Sequence, residues 1–172
     1  SGVMTGFPMI WAQNIKNVTL RQFGTGVSNI NAIADKCKED LGFTLLLTSL
    51  DSDSVTQKAV TQPKSFDLAD IEYWICKKVY PSGVMQPLDV GRLKNFDKIS
   101  SLFINGQLTP GAEIAQGTAP HTVGFVESKG ATSFASEPTN WLTLIPTIYD
   151  ADTLGIRPDL VGRDITSWAD IM

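Results

Sequence analysis

Apolar and polar positions along the chain follow two periods, and the first ninety residues alternate between them. Residues 18–23, Val-Thr-Leu-Arg-Gln-Phe, alternate and carry β-formers, which predicts a first strand. Gly24-Thr25-Gly26 reads as a tight turn, and Ser28 offers an N-cap for a helix whose apolar stripe is Ile30, Ile33, Cys37 and Leu41. Gly42 supplies the stop. Phe43 to Leu50 is nearly continuous apolar sequence, the pattern of a central parallel strand buried on both faces. The polar loop Asp51-Ser52-Asp53-Ser54 then caps a short helix carrying Val55, Ala59 and Val60, ended before Pro63. A third strand, Phe66 to Ile71, runs through Glu72, Tyr73 and Trp74 into a helix with Ile75 and Val79 on its apolar side, halted by Pro81 and Gly83. Three strand–helix units in about 60 residues predict an α/β fold, a doubly wound and mostly parallel sheet with flanking helices and right-handed crossovers.

After Asp89 the periodicity weakens. Residues 90–118 hold several Gly and Pro breaks, with Phe96 and Ile99 as expected satellite core contacts. Short strands are expected within residues 119–128 and from Trp141 to Ile148, with a break at Tyr149-Asp150-Ala151-Asp152-Thr153. Near the end, Ser167 with Asp170 three positions on resembles a capping box that opens a helix, and the chain stops inside its first turns.

Composition narrows the classes. The 172 residues are 42% hydrophobic and 19% charged, at a mean hydropathy of +0.01, which is the profile of a globular protein with one core and the beginning of a second. No stretch approaches the ~20 apolar residues a membrane span needs. A net charge of −4 argues against a nucleic-acid partner and is compatible with a cationic one. Residues 1–12, apolar and uncharged up to Ile10-Trp11-Ala12, read either as the tail of an export signal or as an N-terminal arm packed on the domain. Export would permit a disulfide between Cys37 and Cys76, but both stand at helical apolar positions on helices expected on opposite faces, so two buried thiols are expected.

Candidate chemistry collects at the predicted carboxyl ends of the strands, where open α/β sheets hold ligands. Glu72 beside Tyr73 and Trp74 offers an ammonium ligand a carboxylate and aromatic faces; the alternative is a helix first turn with Trp74 in the core. Gly24-Thr25-Gly26 falls short of a dinucleotide fingerprint, because Asn29 stands where the third glycine belongs. No phosphate-loop or nucleophile-elbow motif occurs, and one histidine, His121, with two scattered cysteines does not make a zinc set. No cofactor is expected, and His121 reads as structural or as a loop residue. A small enzyme holding a divalent metal between Asp51, Asp53 and Asp70 is the rival reading; Asp51 and Asp53 equally suit helix caps.

The run Asp67-Leu68 to Glu72, continuing through a helix to Gly83-Val84-Met85-Gln86-Pro87-Leu88-Asp89, resembles bacterial extracellular solute-binding proteins of ABC importers, of the spermidine/putrescine type. Pro146 to Ile156 and Ile165-Thr166-Ser167-Trp168-Ala169-Asp170 resemble the same family's exit from its first lobe. The likeness covers residues 18–172 and implies the front half of a type II periplasmic binding fold: a first α/β lobe over residues 13–145, then a hinge crossover and the start of a second lobe over 146–172. It implies a non-enzymatic periplasmic protein that binds a small solute in an interlobe cleft and hands it to the membrane permease subunits. The expected solute is a polyamine-like cation, with a ferric ion, a carboxylate or a sugar as alternatives within the fold. Carried over by position, the site residues are Thr25, Ser28, Glu72, Tyr73 and Trp74, with Tyr149, Asp150 and Asp152 at the hinge. Thr25 and Ser28 stand where polyamine binders often place aromatics, and Glu72 where the family often has serine.

Overall fold

The computed structural model describes residues 15–117, 119–149 and 155–170, and of Ile15 and Trp168 the backbone alone. Strands β1 (Thr19–Gly24), β2 (Thr44–Ser49) and β3 (Leu68–Asp70) form a parallel sheet in the order β2-β1-β3. Register sets Phe23 opposite Thr48 on one side and Ala69 on the other. Helices α1 (Asn31–Leu41) and α2 (Ser52–Thr61) make the crossovers, and α3 (Tyr73–Val79) follows β3. The result is an α/β lobe with a three-stranded parallel sheet and flanking helices, compatible with a Rossmann-like arrangement.

Local chemistry accounts for the boundaries. Gly42 takes the left-handed conformation (φ 86°) that an L side chain rarely adopts, and its N–H closes α1 on the Lys38 carbonyl at 3.1 Å. Asp51 caps α2, its carboxylate accepting from the Ser54 amide at 2.9 Å and the Ser54 hydroxyl at 2.7 Å. Those bonds hold the Asp51 carboxyl below its ordinary range. After α3, Pro81 sits in a 3₁₀ turn (Tyr80–Ser82) closed by Gly83 at φ 74°.

Helix α3 is the hub of the packing. Ile75 and Val79, one turn apart and fully buried, join Phe23 of β1 and Val55 and Ala59 of α2 in the first core. Cys76 and Tyr80, the next stripe round, meet Val123 and Val126 in a second core. A third core gathers Phe125, Ala135 and Leu142, with Phe96 edge-on to Phe125 at 6.5 Å between centroids. The second and third cores belong to a separate antiparallel sheet, β4 (Leu88–Asp89), β5 (Phe125–Val126) and β6 (Trp141–Leu142), in the order β4-β6-β5. Two short helices, α4 (Ser101–Asn105) and α5 (Pro158–Val161), complete the described α-helices, and short 3₁₀ turns punctuate the connections.

Several expectations are corrected here. The apolar run at Phe43–Leu50 does not make a central strand: β1 takes the middle, β2 is an edge, and Leu46 is 54% exposed. Helix α1 buries none of its residues, and Ile30, Ile33 and Leu41 of its expected stripe are exposed. The later strands do not continue the parallel sheet but form a second, antiparallel one. The third strand is trimmed to three residues, and the strand expected from Trp141 to Ile148 ends at Leu142. Both cysteines are free thiols, Cys76 buried but Cys37 only half-buried. Burial pushes the Cys76 thiol up to about 11, which makes it inert. His121 is a packing residue, its ring lying over Gly106, where a Cβ would stand 2.6 Å from it. Among the described residues no helix is long and apolar enough to cross a membrane.

Candidate functional site

The carboxyl ends of three parallel strands converge on one polar edge. Strand β1 ends at Gly24 and runs into loop 25–30, β2 ends at Ser49 before Asp51 and Ser52, and β3 ends at Asp70 before Ile71 and Glu72. The strand order reverses at β1, since the chain leaves it for β2 on one side and later returns to β3 on the other. Such a switch point opens a crevice between the β1 and β3 loops. Gly24 is needed for that approach: a Cβ there would stand 2.2 Å from the carbonyl oxygen of Asp70.

Two serine-to-carboxylate hydrogen bonds span the edge. The Ser28 hydroxyl donates to Asp70 Oδ2 at 2.5 Å, joining the β1 loop to the end of β3. The Ser52 hydroxyl donates to Glu72 Oε1 at 3.3 Å, joining the β2 loop to the residue ahead of α3. The expected use of Ser28 as the α1 cap is therefore corrected. Ile30 occupies the cap position without a side-chain bond, and the serine hydroxyl is engaged by a charged acceptor, which binds it more strongly than a backbone amide does.

Glu72 is the N-cap residue of α3, yet its side chain makes no capping bond. Its Oε1 takes the Ser52 hydroxyl, while Oε2 is out of contact with water and has no partner. An unpaired buried carboxylate oxygen is costly, so this atom is an acceptor in want of a donor. No basic side chain stands among residues 24–30, 49–53 or 70–74.

The other expected site residues divide. Thr25 is half-buried in the β1 loop, beside the edge. Tyr73 and Trp74, consecutive on α3 and about 100° apart around it, point different ways. Tyr73 packs toward the second core, and Trp74, 38% exposed, carries Lys78 Nζ 5.4 Å from its ring centroid. Trp74 is thus neither core nor an open aromatic platform. Tyr149 is 76% exposed with its ring against Phe103 of α4 at 5.3 Å. Asp150 and Asp152 lie outside the described residues. For the rival metal reading, Asp51 is committed to its cap and Asp70 to Ser28, and among the described residues no group of three His, Cys, Asp or Glu is placed to hold an ion.

Sequence reasoning passed over Asn29, Ser49 and Ser52, which build the edge with Asp70. Their signal is positional: each is a polar residue in or beside a loop at a strand's carboxyl end. Two shallow, solvent-open hollows lie elsewhere, one of about 250 Å³ beside Tyr80, Gln86 and Thr132, and a flatter one beside Gln62 and Lys64. Neither meets the carboxylates of the edge. Comparison with family models, curated proteins and solved structures finds no match for this chain.

Proposed function

We propose that this lobe is a non-catalytic solute binder and that its carboxyl edge receives a small organic ammonium ion. The observation that carries the reading is Glu72: a carboxylate at the switch-point edge, with one oxygen held by Ser52 and the other buried and unpartnered. A primary ammonium brings up to three donors and a positive charge, which satisfies that oxygen by a charge-assisted bond. The absence of Arg and Lys from the strand ends disfavours a carboxylate or phosphate solute in the same place. Trp74 belongs to the rim, its ring already facing Lys78, so the attraction rests on the carboxylates rather than on an aromatic box.

The resemblance of residues 66–89 and 146–170 to spermidine/putrescine-type binders extends this reading to an exported protein serving an ABC importer. In that setting the edge is one wall of a cleft whose opposite wall is a second lobe. Closure over the solute follows only from tighter binding in the closed form, and the closed form is what the permease would recognise.

A thermal-shift panel of spermidine, putrescine, neutral amino acids, sugars, ferric citrate and Mg²⁺ tests the reading. Stabilisation by the amines alone, absent in Glu72→Gln, is the expected result. Stabilisation by the metal and none by the amines overturns it.

A further inference from the structure

We propose that Asn29 is the positioning residue of the carboxyl edge: a buried amide that ties the ends of β1 and β2 together and so holds Ser28 on Asp70. Asn29 is 4% exposed, and it and Thr143 are the buried polar side chains among the described residues. Its Oδ1 accepts from Gln22 Nε2 of β1 at 3.3 Å, and its Nδ2 donates to Ser49 Oγ, the last residue of β2, at 2.9 Å. The Ser49 hydroxyl returns its own proton to the Asn29 carbonyl at 3.3 Å. Ser28, the neighbour, donates to Asp70 at the end of β3. The dipeptide Ser28-Asn29 thereby reaches all three strands of the sheet.

The chemistry calls for asparagine. The position needs one acceptor for Gln22 and one donor for Ser49 on a short side chain, and a carboxamide provides both. Aspartate would offer the Gln22 acceptor but would set a buried charge and no donor against Ser49, near a second carboxylate at Asp70. An aliphatic residue would leave the Gln22 amide and the Ser49 oxygen to find other partners. The remaining loop offers little to replace these ties. Ile30 caps α1 without a side-chain bond, and α1 buries none of its residues. Asn29 also sets how many carboxylates the edge presents. While it holds Ser28 in place, Asp70 is engaged and the buried Glu72 Oε2 is the unpartnered carboxylate oxygen of the edge; with Asn29 gone, Ser28 is released and Asp70 loses its donor.

The geometric part of the inference stands without a ligand, and its effect on binding rests on the proposed solute reading; two arms keep them apart. The first is residue-resolved amide hydrogen exchange on the ligand-free protein. In Asn29→Ala, and more mildly in Ser49→Ala, which removes only the β2 tie, exchange in residues 25–30 should rise roughly tenfold, the scale of a lost buried hydrogen-bond pair. Exchange in α3 should stay at the wild-type rate. Asn29→Asp should fail to restore protection. Exchange in residues 25–30 at the wild-type rate, or an equal rise throughout α3, overturns the proposal. Should Asn29→Ala not fold, Ser49→Ala decides by the same readout. The second arm titrates spermidine into wild type, Ser28→Ala, Asn29→Ala and the double variant. If Asn29 acts through Ser28, the double variant changes affinity no more than Asn29→Ala alone, whereas additive changes contradict that coupling. A wild-type protein that ignores spermidine defeats the solute reading, and the exchange rates then decide the role of Asn29 by themselves.

Discussion

At the scale of single residues, close approach and charge govern the parallel sheet. Gly24 has no room for a methyl group, because backbone rather than a flexible side chain fills the space. Gly24→Ala should cost about 1–3 kcal/mol in urea denaturation, the usual range for overpacking. A loss confined to tenths of a kcal/mol would show that β3 can retreat from β1. Asp67 gives a pH signature. Its carboxylate accepts from Arg21 Nε and the Arg21 amide, and a second bond from the guanidinium reaches its other oxygen at 3.0 Å. The Arg21 bonds hold the Asp67 carboxyl down from its ordinary 3.8 to about 2. A depressed folded-state value stabilises the fold above the unfolded pKa and ceases to do so as pH falls through the folded one. Asp67→Asn should therefore be less stable than wild type at pH 6, with the difference closing between about pH 4 and pH 2. A difference constant across that range would exclude the ion pair as its origin. Much of this scale was legible in advance. Gly42, Gly83 and the Asp51 cap follow from residue chemistry within a few positions. The Ser28–Asp70 and Asn29–Ser49 contacts are 42 and 20 residues apart in the chain, and only the strand order brings them together.

At the scale of elements, α3 and β2 make opposite predictions from similar apolar content. Ile75 is fully buried between β1 and α2, so Ile75→Ala should cost about 2–5 kcal/mol in the same denaturation measurement. Leu46 stands in an equally apolar stretch but on the edge strand, so Leu46→Ala should stay within about 0.5 kcal/mol, as exposed substitutions do. Comparable losses for the two would mean that β2 is covered on both faces, as a central strand is. Periodicity identified both elements correctly as strand and helix. It did not distinguish edge from centre, because a continuous apolar run records what a strand can bury and not how many neighbours it has. β5 and β6 fall within the segments expected to hold short strands, but two residues carry too little of a period to fix bounds or pairing, and β4 had no signal at all, so the second sheet's arrangement was not legible.

At the scale of the whole molecule, two cores share one helix. Ile75 and Val79 serve the parallel sheet, while Cys76 and Tyr80 serve the antiparallel one. The carboxyl edge lies at the start of that helix, so Glu72 is held by a segment anchored on two sides. The place of the polar edge was legible, since the strand–helix pattern puts the loops with Ser28, Asp51 and Glu72 at the carboxyl ends of parallel strands. The bonding within the edge was not: Tyr73 packs on the second core, Trp74 carries Lys78, and the ties across the strand ends are made by serine hydroxyls and the Asn29 amide.

The most direct test of the central claim is a residue-resolved amide chemical-shift titration with spermidine, run on wild type and on Glu72→Gln. Saturable shifts confined to residues 25–30, 49–53 and 70–74 are predicted in wild type, with their loss in Glu72→Gln while the rest of the spectrum stays unchanged. Shifts centred on another face, or shifts at the edge that persist undiminished in Glu72→Gln, would contradict the assignment of Glu72 as the ammonium acceptor.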